Sequence, residues 1–147
     1  MKDFQQYFIP EGLDEVERHY GDPNGPLSKA ATVSLPEPIG GVTSLKCHAK
    51  AGPAIRLFFA RIQAENLWHC LRFIGPCYDP GVDGVLCLPT MHARGAALTI
   101  NLPLNPHGEN APLTARNDLA KNEFPGKVLF KTHPIVKIAK EMGFSWL

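Results

Sequence analysis

The run TMHARGAALTIN, residues 90–101, is where chemistry is most readily drawn. It carries an imidazole at His92, a glycine at 95, an alanine at 97 and a hydroxyl at Thr99, and it leads into an apolar segment. A catalytic zinc site takes three protein ligands and keeps a fourth position open for water. His92 could be one such ligand. Thr99 would be a poor second, because a neutral hydroxyl binds a hard dication far more weakly than an ionised carboxylate. The run therefore reads in three ways: a working metal site, a damaged one, or a coincidence of spacing.

Other groups could in principle complete such a site. His48 follows Cys47, His69 precedes Cys70, and His107 and His133 fall in loops. Nothing in their spacing asks for a metal. The four cysteines, Cys47, Cys70, Cys77 and Cys87, match neither a zinc ribbon nor a redox CxxC. They read as buried thiols, and a disulfide is not implied. A Cys–His nucleophile pair can be drawn from four thiols and six imidazoles in many ways, so drawing one proves nothing. His92 itself reads as a structural or surface histidine, and Arg94 as a solvent-facing side chain.

These groups need elements to position them. EGLDEVERHY, residues 11–20, reads as a short helix stopped by Gly21. TVSLPEPIGG reads as extended and VTSLKCHA, 42–49, as a strand. The clearest helix is 53–68, with Pro53 in its first turn and Ile55, Phe58, Phe59 and Ile62 on one face as a core stripe. Arg56 and Arg61 fall off that stripe. GPCYDPGVDG, 75–84, is a loop, and from 96 to 104 apolar residues at even positions alternate with a more polar set, predicting a strand. Residues 105–127 read as irregular, with a short helix near 114–121. A C-terminal helix spans 134–142, capped by Thr132 or His133, with Ile135, Ile138, Ala139 and Met142 as its stripe and Gly143 at its stop.

The whole predicts a single α+β domain over 1–147: a small antiparallel sheet packed against the core helix 53–68, with the C-terminal helix 134–142 and with residues 1–21 as an optional N-terminal extension. The chain has 147 residues, 44% of them hydrophobic, and a formal net charge of +1. That is enough for one core, and no basic run points to nucleic acid or to a membrane surface. No apolar run approaches the ~20 residues a bilayer span needs. No secretory signal is read at the N-terminus, so the product is expected to be made in the cytoplasm.

TMHARGAALTINLPLNP resembles the signature S-x-H-x-x-G-x-A-x-D, with its following I-N and N-P, of the zinc peptidases of the D-alanyl-D-alanine carboxypeptidase and L-alanyl-D-glutamate endopeptidase type. These cleave peptidoglycan stem peptides, and many are phage endolysins. KCHAKAGPAIRLFFARIQAENL resembles the helix before their active-site loop, FIGPCYDPG their Gly-Gly-Cys-aromatic loop, and HPIVKIAKEMGFSW the helix leading to Gly-Phe-x-Trp. The likeness covers about residues 20 to 147.

The resemblance also defines what is altered. The first zinc ligand falls on His92 and the serine before it on Thr90. The second ligand, an aspartate, falls on Thr99. The stretch that carries substrate-binding arginines is here YDPGVDGVL, which has Asp79 and Asp83 and no arginine. A guanidinium clamp is thus replaced by groups that repel a carboxylate. The general base and the third ligand would follow Gly-Phe-x-Trp, where this sequence reads GFSWL and stops. The resemblance implies a degenerate, C-terminally truncated member, a pseudoenzyme with no catalytic residue, no metal and no cofactor. Its relic metal positions are His92 and Thr99, and its relic substrate pocket is Thr90, His92, Thr99, Asn101, Asp79 and Asp83.

A scaffold without its chemistry is expected to be kept for its surface. The leading expectation is an interaction protein in a phage virion, decorating the capsid or associated with the tail. It would be made in the host cytoplasm, bind capsid or tail proteins, and bind neither nucleic acid nor membrane, with self-association left open. Segments 22–41 and 105–127 are the favoured contact regions. Two alternatives remain: a zinc peptidase with a rebuilt or partner-completed site, and a cell-wall-binding module that does not cut.

Overall fold

Two prolines and two glycines shape the sheet. A computed structural model describes residues 12–21, 29–79, 91–101, 104, 129–130 and 132–144. In it, β1 (Ala30–Ile39) and β2 (Val42–His48) form a two-stranded antiparallel hairpin. Gly40 and Gly41 both take positive φ, 56° and 86°, which a two-residue hairpin turn of this hand requires. The register runs regularly from Ala30↔His48 to Ser34↔Ser44, then breaks before Ile39↔Val42. Pro36 and Pro38 lie in the break, where their missing N–H groups cannot serve a ladder.

The helix α1 spans Leu13–Tyr20 and ends at Gly21, whose N–H returns to the Glu17 carbonyl at φ 86°. The core helix, α2, spans Gly52–Ala64. Its stripe is as the sequence predicts: Ile55, Phe58, Phe59 and Ile62 are all but inaccessible. It stops earlier than the predicted 68. Asn66 takes a left-handed φ of 58°, while Asn66 N–H bonds the Gln63 carbonyl and Leu67 N–H the Ile62 carbonyl. This paired closure satisfies the last carbonyls, and asparagine tolerates the conformation it needs. A short 3-10 turn, Trp68–Cys70, follows.

The C-terminal helix, α3, spans Pro134–Glu141. His133 caps it, its Nδ1 accepting from Ile135 N–H at 3.1 Å. Gly143 closes it at φ 83° in the same paired manner, with Phe144 N–H on the Ala139 carbonyl. Ile135, Ile138 and Met142 are buried as expected, and Val136 joins them. Arg61 ties α2 to α3 through Glu141 at 2.9 Å and also holds Glu65 at 3.2 Å. One core thus joins both strands, α2 and α3: Val33, Ile39, Leu45 and Cys47 meet Phe58, Phe59, Ile135 and Val136. This is a small α+β domain with a two-stranded antiparallel sheet packed against helices. None of its described helices is long and apolar enough to cross a membrane.

The predicted strand at 96–104 is a correction. Its described part makes one isolated bridge, Ile74↔Ile100. Residues 96–100 are all half-buried, without alternation between faces. The reason lies at Asn101, where φ is 52° and the chain turns, so no strand can continue. The suggested helix near 114–121, and the segment 105–127 as a whole, lie outside the described residues, as do Thr90, Asp83, Cys87 and His107.

Candidate functional site

The site is built where two loops meet the end of β2. The turn at residues 91–95 closes on itself, with Gly95 N–H on the His92 carbonyl at 3.0 Å and Ala96 N–H on the Met91 carbonyl at 2.9 Å. Gly95 then presses against β2: its carbonyl accepts from His48 N–H at 2.8 Å. A Cβ on Gly95 would stand 2.6 Å from that same nitrogen, and its φ is 68°. Only glycine meets both conditions without displacement.

The segment leading to Thr99 is fixed from the other side. Asn101 is completely buried, and its side chain is spent on backbone. Its Oδ1 accepts from Arg72 N–H at 2.7 Å and Phe73 N–H at 3.0 Å, and its Nδ2 donates to the Cys70 carbonyl at 2.7 Å. Gly75 N–H holds the Thr99 carbonyl at 2.8 Å. Asn101 therefore acts as an anchor for the segment, with its carboxamide turned into the protein rather than lining a pocket.

These two supports bring His92 and Thr99 together. His92 Nδ1 lies 3.1 Å from the Pro76 carbonyl and 3.3 Å from that of Cys77, and its Nε2 lies 3.0 Å from Thr99 Oγ1. Carbonyl oxygens only accept, so Nδ1 carries the ring proton. In the neutral ring Nε2 is then the acceptor, and the Thr99 hydroxyl donates to it. Backbone-fixed Nδ1–H is also how a metal-bound histidine is oriented. Here the lone pair that a cation would take receives a hydroxyl proton instead. The spacing agrees: two ligands at about 2.1 Å from one tetrahedral cation stand about 3.4 Å apart.

The other predicted site residues are placed less closely. Asp79 is exposed, and its N–H bonds the His92 carbonyl at 3.0 Å. Thr90 and Asp83 lie outside the described residues. Arg94 corrects the expectation of a solvent-facing side chain. It is 2% exposed, with its guanidinium 3.6 Å from the Glu17 carboxylate of α1. The turn that lays Gly95 on β2 carries its neighbour Arg94 inward, and residue type alone could not show this.

Cys47, Cys70 and Cys77 are buried free thiols, as read from their spacing. Cys77 donates to the Gly95 carbonyl at 3.3 Å, and burial pushes its thiol up to about 12, so it stays protonated. Among the described residues, no group of three or more His, Cys, Asp or Glu side chains is placed to hold a metal ion.

The sequence offers His48 only as a possible extra metal ligand, and its buried place against α1 is not foreseen. It is 4% exposed at the end of β2, with Lys50 N–H on its Nδ1 at 3.0 Å and the Tyr20 ring edge-on at 5.2 Å. Burial first, then the nearby Lys50, His19 and Lys29, holds its imidazole below the usual range. Its place after an apolar strand was the available signal. No family model matches this chain, and no curated protein or solved structure matches it.

Proposed function

We propose that this is a catalytically inactive, peptidoglycan-peptidase-like protein that works through its surface, as a structural component of a phage particle on the capsid or tail. The observation that carries the first half is the pairing of His92 Nε2 with Thr99 Oγ1 at 3.0 Å. A hydroxyl proton at that nitrogen is the opposite of what a zinc ligand offers, and a neutral oxygen supplies none of the charge that such a site needs. The anchors around the pair, Gly95 and Asn101, hold backbone and perform no chemistry. Retention of a shaped loop without its chemistry favours a binding role, and the phage assignment rests on the sequence resemblance. Among the described residues Phe73 is the large hydrophobic side chain left exposed, at 39%, with the Arg72 guanidinium over its ring at 5.7 Å. An aromatic and an arginine side by side suit a protein contact.

The test is sedimentation of the protein with particles from a producing host, followed by quantitation of chains per particle. Stoichiometric recovery, with no chelator-sensitive hydrolysis of cell-wall peptides, is the expected result. A monodisperse monomer absent from every particle contradicts the virion role, and chelator-sensitive hydrolysis contradicts the loss of chemistry.

A further inference from the structure

We infer that His48 is an acid-released latch: protonation of its ring undocks α1 from the body of the domain and breaks the Glu17–Arg94 pair. The geometry is that of a histidine built to be neutral. Its Nδ1 accepts from Lys50 N–H at 3.0 Å, which leaves Nε2 as the ring donor toward the Tyr20 backbone. A second proton has one place to go, Nδ1, and there it would face an N–H.

Burial and the neighbouring cations oppose that proton, while the Tyr20 backbone, which accepts from the ring, favours it. Lys50 follows β2, Lys29 precedes β1, and His19 and Tyr20 come from α1. The Tyr20 ring lies edge-on to His48 at 5.2 Å and to His19 at 4.7 Å. From the 91–95 turn comes the Gly95 carbonyl, already taken by His48 N–H at 2.8 Å, while Glu17 lies 3.6 Å from Arg94.

The helix that would be released is short. It has eight residues, below the length at which a helix persists alone in water. Its attachments include buried Val16, the Tyr20 ring, the Glu17–Arg94 pair, and Lys50 Nζ donating to the His19 carbonyl at 2.8 Å. Of these, the Tyr20 ring adjoins His48 directly. Charging the ring strains its contact with Lys50 and adds a cation beside two others.

The sign follows from linkage. Docked His48 holds its proton less tightly than a free imidazole, so the undocked state binds more protons as pH falls below about 6.5. Undocking driven by this one group rises between pH 7.5 and 5.5, by at most about tenfold. His19, also held below its usual range by burial and by Lys50, acts in the same direction.

The experiment is hydrogen exchange on the full chain at pH 7.5, 6.5 and 5.5, corrected for the intrinsic pH dependence of exchange. We expect protection of residues 13–20 to fall by up to about tenfold by pH 5.5, while α2 and α3 hold theirs. His48→Gln keeps a donor toward Tyr20 but cannot titrate, and should remove most of the dependence. Unchanged α1 protection overturns the proposal. So does a full dependence retained in H48Q, or one abolished by H19Q alone. Should H48Q not fold, ring NMR of the unsubstituted protein decides. A His48 ring with its proton on Nε2, titrating below 6.5 in step with α1 exchange, supports the latch; titration at or above 6.5 overturns it.

Discussion

His92 and His48 are both held by backbone at Nδ1, yet in opposite senses: carbonyls meet it at His92 and an N–H at His48. His92 keeps Nδ1–H against the Pro76 and Cys77 carbonyls and offers Nε2 to a threonine hydroxyl. His48 offers Nδ1 to Lys50 N–H and keeps the proton on Nε2. The first is half-buried with the Thr99 hydroxyl at its outer nitrogen; the second is buried between a strand end and a helix. Gly95 joins them, its N–H on the His92 carbonyl and its own carbonyl on His48 N–H. The difference teaches that an imidazole's role is set by what its second nitrogen meets. A hydroxyl shares the outer nitrogen of His92, whereas an N–H at His48 Nδ1 makes a proton the unwelcome partner.

The largest effect should come from Asn101→Ala, which disturbs the His92 side alone. It removes the acceptor for two backbone N–H groups and the donor to Cys70, and it leaves a non-glycine residue at φ 52°. Thermal or urea unfolding should show a loss of about 4 kcal/mol. Asn101→Gly should lose somewhat less, since it relieves the backbone but not the missing bonds.

Gly95→Ala should disturb both imidazoles at once. A Cβ placed 2.6 Å from His48 N, at φ 68°, forces either β2 or the turn to move. A loss of about 3 kcal/mol is expected in denaturant unfolding. NMR should show both histidine rings shifted, whereas N101A should shift His92 more than His48.

Acid separates the two in the other direction. His48 and His19 are both held below the usual histidine range. Their stabilising effect is therefore complete above about pH 6.5 and is lost as pH falls from there toward their folded values, with a slope of at most about 1.4 kcal/mol per pH unit for each group. Unfolding midpoints at pH 7.5, 6.5 and 5.5 check this, and H48Q should flatten the curve.

Thr99→Val removes the hydroxyl at His92 Nε2 and should cost about 1 kcal/mol in unfolding. The two carbonyls should keep the ring proton on Nδ1, with Nε2 left without its hydroxyl donor, which nitrogen chemical shifts would report. The smallest effect is expected for Phe73→Ala, within about 0.5 kcal/mol, because the side chain is 39% exposed. Its value lies in binding: if Phe73 meets a partner, F73A should weaken co-sedimentation while leaving both imidazoles as they are.

Much of the frame was legible because it rests on local rules. The α2 stripe, the α3 stripe with its cap and glycine stop, and the end of α1 at Gly21 follow from helical spacing and terminus chemistry. The pairing of positions 92 and 99 was suggested by motif order. The failures share a cause. The strand at 96–104 gave way to a turn because Asn101 bonds backbone about thirty residues away in sequence. Arg94 is buried because Gly95 lies flat on β2. His48 became notable only once α1 was seen against it. Each depends on a long-range contact that neither periodicity nor composition encodes.

We propose that Thr99, a neutral oxygen at His92 Nε2, leaves His92 without a metal to hold. Zinc per chain, measured by elemental analysis on protein purified without chelator, tests it most directly. The account predicts a value near zero that stays there after zinc is added and the excess removed. A value near one, lost in a His92→Ala variant, would contradict it and favour the zinc-peptidase alternative.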